Sequence, residues 1–377
     1  VQAAVGRLAA ANLERARRTG NPDLRVVAVT GSVGKTTTKD LLAGLLSSRG
    51  PVVAPPGSFN NELGLPLTVL RTGADTASLV LEMGADHVGN IDYLTSIAPP
   101  DVSAVLAVAR AHLGEFGGID NVARAKSELV SGTREGGTVV LNADDERVAA
   151  MASKARGPVV TFSAAGRGDV SAADVRTGAD GRASFTLVTP EGAWPVTLRL
   201  VGEHHVANAL AAAAVARVLG VDPRQAASAL GRHGAASPHR MDVFEAGGAT
   251  VIDDAYNANP DSMRAGLRGL ERIGAGRRKL AVLGEMLELG GESEAEHASL
   301  GEEVGRAGVS LLACLPGTRA LSQAAADAGV GVHDAPDAAD ALAWLRATLA
   351  PGDAVLLKGS HGSGVWRIAD ALREETK

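Results

Sequence analysis

The stretch Val26–Leu42, VVAVTGSVGKTTTKDLL, decides how the chain is read. A β-branched apolar run breaks into Thr-Gly-Ser-Val-Gly-Lys-Thr-Thr-Thr and then resumes with helical spacing. Strand, glycine loop, Lys-Thr and helix is the order that points backbone N–H groups and a helix N-terminus at an anion. Gly31 and Gly34 let the backbone come close to a phosphate, Lys35 can reach between β- and γ-phosphates, and the Thr36 hydroxyl is placed to join a Mg2+ shell. Val29 stands where the general pattern G-x-x-x-x-G-K-[ST] has glycine, so the strict motif is not met. The alternative is an ordinary glycine-rich βα turn; Gly-Lys-Thr-Thr set directly between strand and helix favours a nucleotide.

Working outward from this loop, short runs rich in Val, Leu and Ala (RVVAVT, SLVLEM, VSAVLAVA, GTVVLN) alternate with amphipathic stretches, the pattern of βαβ units around a buried parallel sheet. Between about Gly157 and Leu200 the texture changes to PVVTFSAAG, ASFTLVTPEG and WPVTLRL, which predicts antiparallel hairpins added to that sheet. HHVANALAAAAVARVLG returns as a helix. Small residues and a proline in GRHGAASPHRM, Gly231–Met241, suggest a linker before a second alternating series, ATVIDDAY, RKLAVLGEM, VSLLACL and DAVLLKG.

The composition agrees with this. At 377 residues the chain is longer than one core usually serves, and 45% hydrophobic with 21% charged residues is the mix of a folded protein in water. A formal net charge of −6 argues against a nucleic-acid or anionic-membrane binder. No segment approaches the roughly 20 apolar residues of a membrane span. The single cysteine, Cys314, lies in the apolar run VSLLACL and reads as a packed thiol, and a reducing, cytoplasmic setting is the simplest.

Three residues outside the loop carry candidate chemistry. Glu82 ends the run SLVL, at the carboxyl edge where open α/β sheets bind ligands, and could hold Mg2+ or merely cap the loop. His112, in LAVARAHLGEFG, occupies the corresponding place after the next strand; alone it is as readily a solvated loop histidine. In IDNVARAKSELVSG, with Asp120 or Asn121 as cap, Val122, Ala125, Leu129 and Val130 define an apolar stripe, and Lys126 falls on it. A buried ammonium is costly and tends to lose its proton. A neutral amine there could react with CO2 to give a carbamate, an anionic metal ligand; the other reading is that Lys126 snorkels to solvent.

Taken together these residues resemble the Mur ligase family of ATP-dependent amide-bond-forming enzymes. The strings are TGSVGKTTTK, FNNELGLPLT, LEMGADHVGNI, AHLGEFGGIDNVARAKSELV, LNADDERV, GEHHVANALAAAAVA, DDAYNANPDSMRAG and LGEMLELGGESEAEH, spread in order over nearly the whole chain. The resemblance implies a P-loop ATPase domain with a mostly parallel sheet and an antiparallel addition, residues 1–236 with a connector helix over 1–20. A smaller Rossmann-like α/β domain is implied over 237–377. It implies that Gly31, Ser32, Val33, Gly34, Lys35, Thr36 and Thr37 hold ATP, with Thr36 and Glu82 at one Mg2+ and His112 and a carbamylated Lys126 at a second. Lys35, Lys126 and His112 would be the catalytic residues.

Asn208 would face adenine, and Arg240 and Asp254 would reach ATP from the linker and second domain. Asn60 and Asn61, with Tyr256, Asn257 and Asn259, would face the substrates. His205, where the family often has asparagine, and His361, in KGSHGSGVW where the family has arginine, are departures. The implied reaction passes the ATP γ-phosphoryl to the terminal carboxylate of a UDP-N-acetylmuramoyl-tripeptide, and the amine of D-alanyl-D-alanine then attacks the acyl phosphate. A monomer is expected. Rival readings are a tripeptide-forming ligase of the same family, a folylpolyglutamate synthetase and a regulatory P-loop ATPase. The start at Val1, in a helical pattern, leads to the expectation that a uridine-nucleotide-binding N-terminal domain is missing.

Overall fold

The computed structural model describes residues 1–109, 116–234, 237–287 and 289–375. Two sheets organise the chain. The first has nine strands: β1 Arg25–Thr30, β2 Val52–Val53, β3 Ser78–Glu82, β4 Val102–Val105, β5 Thr138–Asn142, β6 Val159–Ser163, β7 Val170–Thr177, β8 Arg182–Thr189 and β9 Gly192–Val201. Their order is β2-β3-β1-β4-β5-β6-β7-β8-β9. The pairs from β2 to β6 are parallel, and β7-β8-β9 form an antiparallel meander.

The parallel strands are apolar along their length because helices cover both faces. One face packs the helix Lys35–Leu46, through Leu41, Leu42, Leu45 and Leu46, and the Ala-rich helix His205–Val218. The other packs Ala9 and Leu13 of the N-terminal helix Gln2–Arg15 and Val122, Ala125, Leu129 and Val130 of Ile119–Gly132. That last stripe is the one expected from the sequence, although Gly118 takes the N-cap position and Asn121 instead donates to the Phe116 carbonyl at 2.7 Å.

PVVTFS departs from the expected hairpin. β6 pairs parallel with β5, because the segment Glu146–Lys154 is helical and carries the chain back across the sheet before β6 begins. The antiparallel addition therefore begins one strand later.

The second sheet runs β10-β11-β15-β12-β13-β14, from β10 Asp242–Ala246, β11 Ala249–Asp254, β12 Lys279–Leu283, β13 Leu311–Cys314, β14 Gly331–Asp334 and β15 Ala354–Lys358. Only β10 is antiparallel. Cys314 is buried in this sheet's core and its thiol is pushed up to about 12 by burial, as suits a packed, unreactive sulfur. No helix among the described residues is long and apolar enough to cross a membrane.

In both sheets the strand order reverses beside a central strand. Loops leaving the carboxyl ends there diverge and open a crevice. In the first sheet that point lies between β1 and its neighbours β3 and β4. In the second it lies at β11 and β15, where Asp254 pairs in register with Lys358. The two crevices share one cavity of about 530 Å3.

Candidate active site

The glycine loop leaves β1 and enters the helix Lys35–Leu46 with Gly34 at its N-cap, φ +84°. A side chain there would strain the backbone, and its Cβ would stand 2.3 Å from Asn208 Oδ1, so the loop can lie against Asn208 only as glycine. Ser32 ties the loop to the segment after β4: its N–H donates to the Ala107 carbonyl at 2.9 Å, and its Oγ accepts from the Ala109 N–H at 3.0 Å. Thr30 Oγ1 donates to the Met83 carbonyl at 2.7 Å, locking the end of β1 to the end of β3. The loop and Glu82 are thus held in fixed relation.

Thr36 Oγ1 donates to Glu82 Oε2 at 2.8 Å, and the other carboxylate oxygen accepts from Ser58 Oγ at 2.9 Å and Asn60 Nδ2 at 2.7 Å. Lys35 Nζ donates to the Gly31 carbonyl at 2.8 Å, and desolvation pushes its ammonium below the usual lysine range, with Glu82 opposing and Arg240 adding to the effect.

From the linker Arg240 crosses to this loop. Its Nη2 donates to Thr36 Oγ1 at 2.9 Å and its guanidinium lies 4.0 Å over the Tyr256 ring. Asp254, at the end of β11, pairs with the buried Lys358 ammonium, which also donates to the Asn257 carbonyl at 3.1 Å.

The cavity gathers Ser32, Val33, Gly34, Lys35, Thr36, Thr37, Asn60, Asn61, Glu82, Asn208, Arg240, Asp254, Tyr256, Asn257 and Asn259 on its walls. Gly31 lies beneath the loop, its carbonyl bonded to Lys35. Two of the asparagines also serve locally. Asn61 Oδ1 accepts from the Gly64 N–H at 2.9 Å, and Asn259 caps the helix Pro260–Ile273 through a capping box with Ser262.

Lys126 is 2% exposed, with Nζ 3.5 Å from the Ala85 carbonyl and 5.7 Å from the centroid of the Phe116 ring. Burial first, then the positive charge of Lys35, push its ammonium down to about 7 against the pull of Glu128, Asp86 and Glu82. It does not snorkel. His112, the other expected metal ligand and catalytic residue, lies outside the described residues.

His205 is buried, and Asn208 Nδ2 lies 3.1 Å from its Nδ1, which leaves the ring's Nε2 for another partner. That Nε2 has no partner among the described residues. His361 stacks on Tyr256 with ring centroids 5.9 Å apart.

Sequence reasoning missed Ser58, which has no motif of its own, and Lys358, whose strand-end position matched that of Glu82. It also missed the buried Lys39–Asp40 pair, 2.6 Å apart, which gathers the Pro55 and Gly57 carbonyls and Ser237 around the phosphate-loop helix.

Among the described residues no three His, Cys, Asp or Glu side chains cluster to hold a metal by themselves. The Thr36 hydroxyl and Glu82 carboxylate are hard oxygen donors at the mouth of an anion cradle. Mg2+ is usually held that way, by one or two protein oxygens together with phosphates and water. The residues present fit a Mg2+-nucleotide.

A phosphate loop and paired oxygen ligands on one α/β sheet, closed across a cleft by an arginine and an acid–lysine pair from a second, define a two-domain nucleotide-dependent enzyme. Residues 29–216 match the Mur ligase middle domain and residues 239–361 the Mur ligase glutamate ligase domain. The chain belongs to the Mur ligase family.

It is 48% identical over 372 residues to the UDP-N-acetylmuramoyl-tripeptide–D-alanyl-D-alanine ligase of Mycobacterium tuberculosis, covering 93% of this chain and 73% of that one. Against the Escherichia coli enzyme of the same name identity is 36% over 355 residues, covering 93% and 77%. A crystal structure of MurF from Acinetobacter baumannii superposes with a TM-score of 0.89 at 33% identity, over 99% of this chain and 80% of that one. MurF ligase from Thermotoga maritima in complex with ADP gives 0.83 at 29% identity, over 99% and 84%.

Proposed function

We propose that this chain joins D-alanyl-D-alanine to a UDP-N-acetylmuramoyl-tripeptide at the expense of ATP, as a cytoplasmic, monomeric enzyme. The observation that carries the reading is the meeting, in one cleft, of the glycine cradle, the Thr36–Glu82 pair and the cross-domain Arg240. The 48% identity to a ligase of that name supports the choice among Mur-type reactions.

The loop N–H groups and Lys35 bind the triphosphate. Lys35 leaves the Gly31 carbonyl to reach the transferring group, where its charge offsets that developing on the phosphoryl oxygens. Asn208 and His205 form the wall read as the adenine end of the cavity. Thr36 and Glu82 would hold one Mg2+, and His112 with Lys126 as its carbamate a second; bound there, the metal supplies charge neutralisation to the phosphates.

The γ-phosphoryl passes to the peptide carboxylate. The dipeptide amine attacks the acyl phosphate, and amide, ADP and phosphate leave. No side-chain nucleophile is required, so positioning carries the chemistry. Asn60, Asn61, Tyr256, Asn257 and Asn259 line the part of the cavity left for the peptide substrates. Asp254, fixed by Lys358, acts from the second domain as the cleft closes.

The test is phosphate release from ATP and Mg2+ with each substrate present or withheld. Release is expected only with both UDP-tripeptide and D-alanyl-D-alanine, and Lys35→Ala should reduce it by at least about a hundredfold. Turnover that ignores both substrates would instead identify a regulatory ATPase, and turnover with a UDP-dipeptide and a single amino acid in place of the UDP-tripeptide and D-alanyl-D-alanine would identify a tripeptide-forming ligase.

A further inference from the structure

Arg240 reaches the phosphate loop because of the backbone on either side of it. His239 and Met241 both have left-handed φ, +59° and +49°, and apart from Asp174 no other non-glycine residue among those described has a positive value. For side chains of this size such a backbone is unfavourable and persists only where its surroundings hold it. The pair of turns throws residue 240 out of the second domain and into the cleft.

What holds the turns is visible. The His239 ring is 12% exposed, and its Nδ1 lies 2.9 and 3.1 Å from the two oxygens of Asp253, a carboxylate with no exposed side-chain surface. The His239 carbonyl accepts from the Tyr256 N–H at 3.2 Å, and the Met241 N–H donates to Asp254 Oδ1 at 3.2 Å. Successive residues of a strand face opposite sides, so β11 gives Asp253 to the His239 ring and Asp254 to the cleft, where it also takes the Met241 N–H. Further back, the Ser237 N–H donates to Asp40 Oδ2 at 2.9 Å, fixing the linker's other end to the phosphate-loop helix.

We propose that His239 and Asp253 are a positioning pair for Arg240: the buried His239–Asp253 contact keeps the linker in its left-handed form, and that form holds the guanidinium at the Thr36 hydroxyl where the nucleotide phosphates bind. The inference rests on the reading of the loop as the ATP site. Neither residue touches the cleft; both act through Arg240.

The groups facing the His239 ring are Asp253 on β11 and, from the helix Val365–Glu374, Asp370 at 3.7 Å, Arg373, which bonds Asp253 at 3.1 Å, and the Trp366 ring at 6.2 Å. The Asp253 hydrogen bond, with Asp370 helping, raises the imidazole above its ordinary value, against burial and Arg373. The charge-assisted part of the contact is therefore at full strength below the ordinary histidine range and is lost as pH rises through the raised value, above which an uncharged Nδ1–H can still bond Asp253.

Calorimetric titration of the full chain with ADP and Mg2+, at about pH 6 and about pH 9, tests this. His239→Ala should bind about tenfold more weakly at the lower pH, since a linker free of its tether holds Arg240 in place only a fraction of the time. Arg240→Ala should lose at least as much, and the double variant should be no worse than Arg240→Ala alone. His239→Asn tolerates a left-handed backbone and can donate an uncharged N–H to Asp253, so it should keep most of the affinity at low pH and lose the share of the alkaline decline that His239 causes.

Multiplying losses in the double variant, full affinity in a folded His239→Ala, or a wild-type pH decline in His239→Asn each overturn the proposal. If His239→Ala does not fold, the pH comparison with His239→Asn decides alone. Absence of ADP binding by the unsubstituted chain would overturn the nucleotide reading, and this inference with it. Binding with multiplying losses overturns only the inference.

Discussion

A buried lysine with an ammonium pushed down to about 7 makes a quantitative prediction about CO2 chemistry. At about pH 7.5 a lysine titrating near 10.5 is neutral in about one molecule in a thousand, whereas Lys126, titrating near 7, is neutral in about three of four. The reactive amine is therefore enriched several hundredfold. It adds to CO2 through a new N–C bond and releases one proton, leaving an anionic carbamate beside Lys35.

With 13C-labelled bicarbonate, a carbamate carbon resonance is expected from the parent protein and not from Lys126→Ala, and ligation should fall when CO2 is stripped from the assay. Lys126→Ala should lose at least about a hundredfold in turnover, with partial return on adding acetate or formate.

The same burial predicts that this loss is not one of folding. The gap between 10.5 and about 7 corresponds to about 5 kcal/mol held against the folded state. Because the folded value is lowered, that penalty is full below about pH 7 and shrinks as pH rises towards 10.5, so removing the amine should leave the variant no less stable near neutrality. A parent protein with no labelled carbamate under turnover conditions, and with rates indifferent to CO2, would refute the reasoning.

Two other substitutions test the architecture. Gly34→Ala must place a side chain at φ +84° and push Asn208 aside; a left-handed residue costs about 1–2 kcal/mol, and with the lost loop geometry ADP affinity should drop more than about tenfold, so wild-type affinity by calorimetry would contradict the close approach. Lys39→Met leaves Asp40 buried without its cation and should cost about 3–5 kcal/mol in chemical denaturation of the full chain, with part recovered in Lys39→Met/Asp40→Leu; a loss under about 1 kcal/mol would show that Asp40 is satisfied some other way.

What the sequence disclosed was local. The strand, glycine loop and helix of Val26–Leu42 lie within a few turns of one another, and the stripe carrying Lys126 is set by helical period alone. The short strands β2, VV, β10, DVFEA, and β14, GVHD, gave no comparable signal, because two to five residues at or near a sheet edge need no continuous apolar run.

The contacts that complete the cleft span long separations: Thr36 and Glu82 are 46 residues apart, and Arg240 and Thr36 are 204 apart. No period or spacing encodes them; Arg240 and Asp254 were named only through the family resemblance. Ser58 stayed invisible because a serine in a loop carries no pattern until Glu82 folds beside it.

Three of the places where local rules are broken lie in or beside this cleft. Lys126 is a lysine on an apolar stripe, His239 a histidine with left-handed backbone, and His205 a buried ring whose Nε2 has no partner among the described residues. Each is unfavourable in isolation, and exceptions of this kind are expected where function requires them. They also differ in kind. The Lys126 penalty ends when the amine is converted to an anion, whereas the His239 strain is offset within the fold by the contact with Asp253. The cost at His239 is thus met by contacts within the chain itself, which hold Arg240 at the Thr36 hydroxyl before the nucleotide arrives.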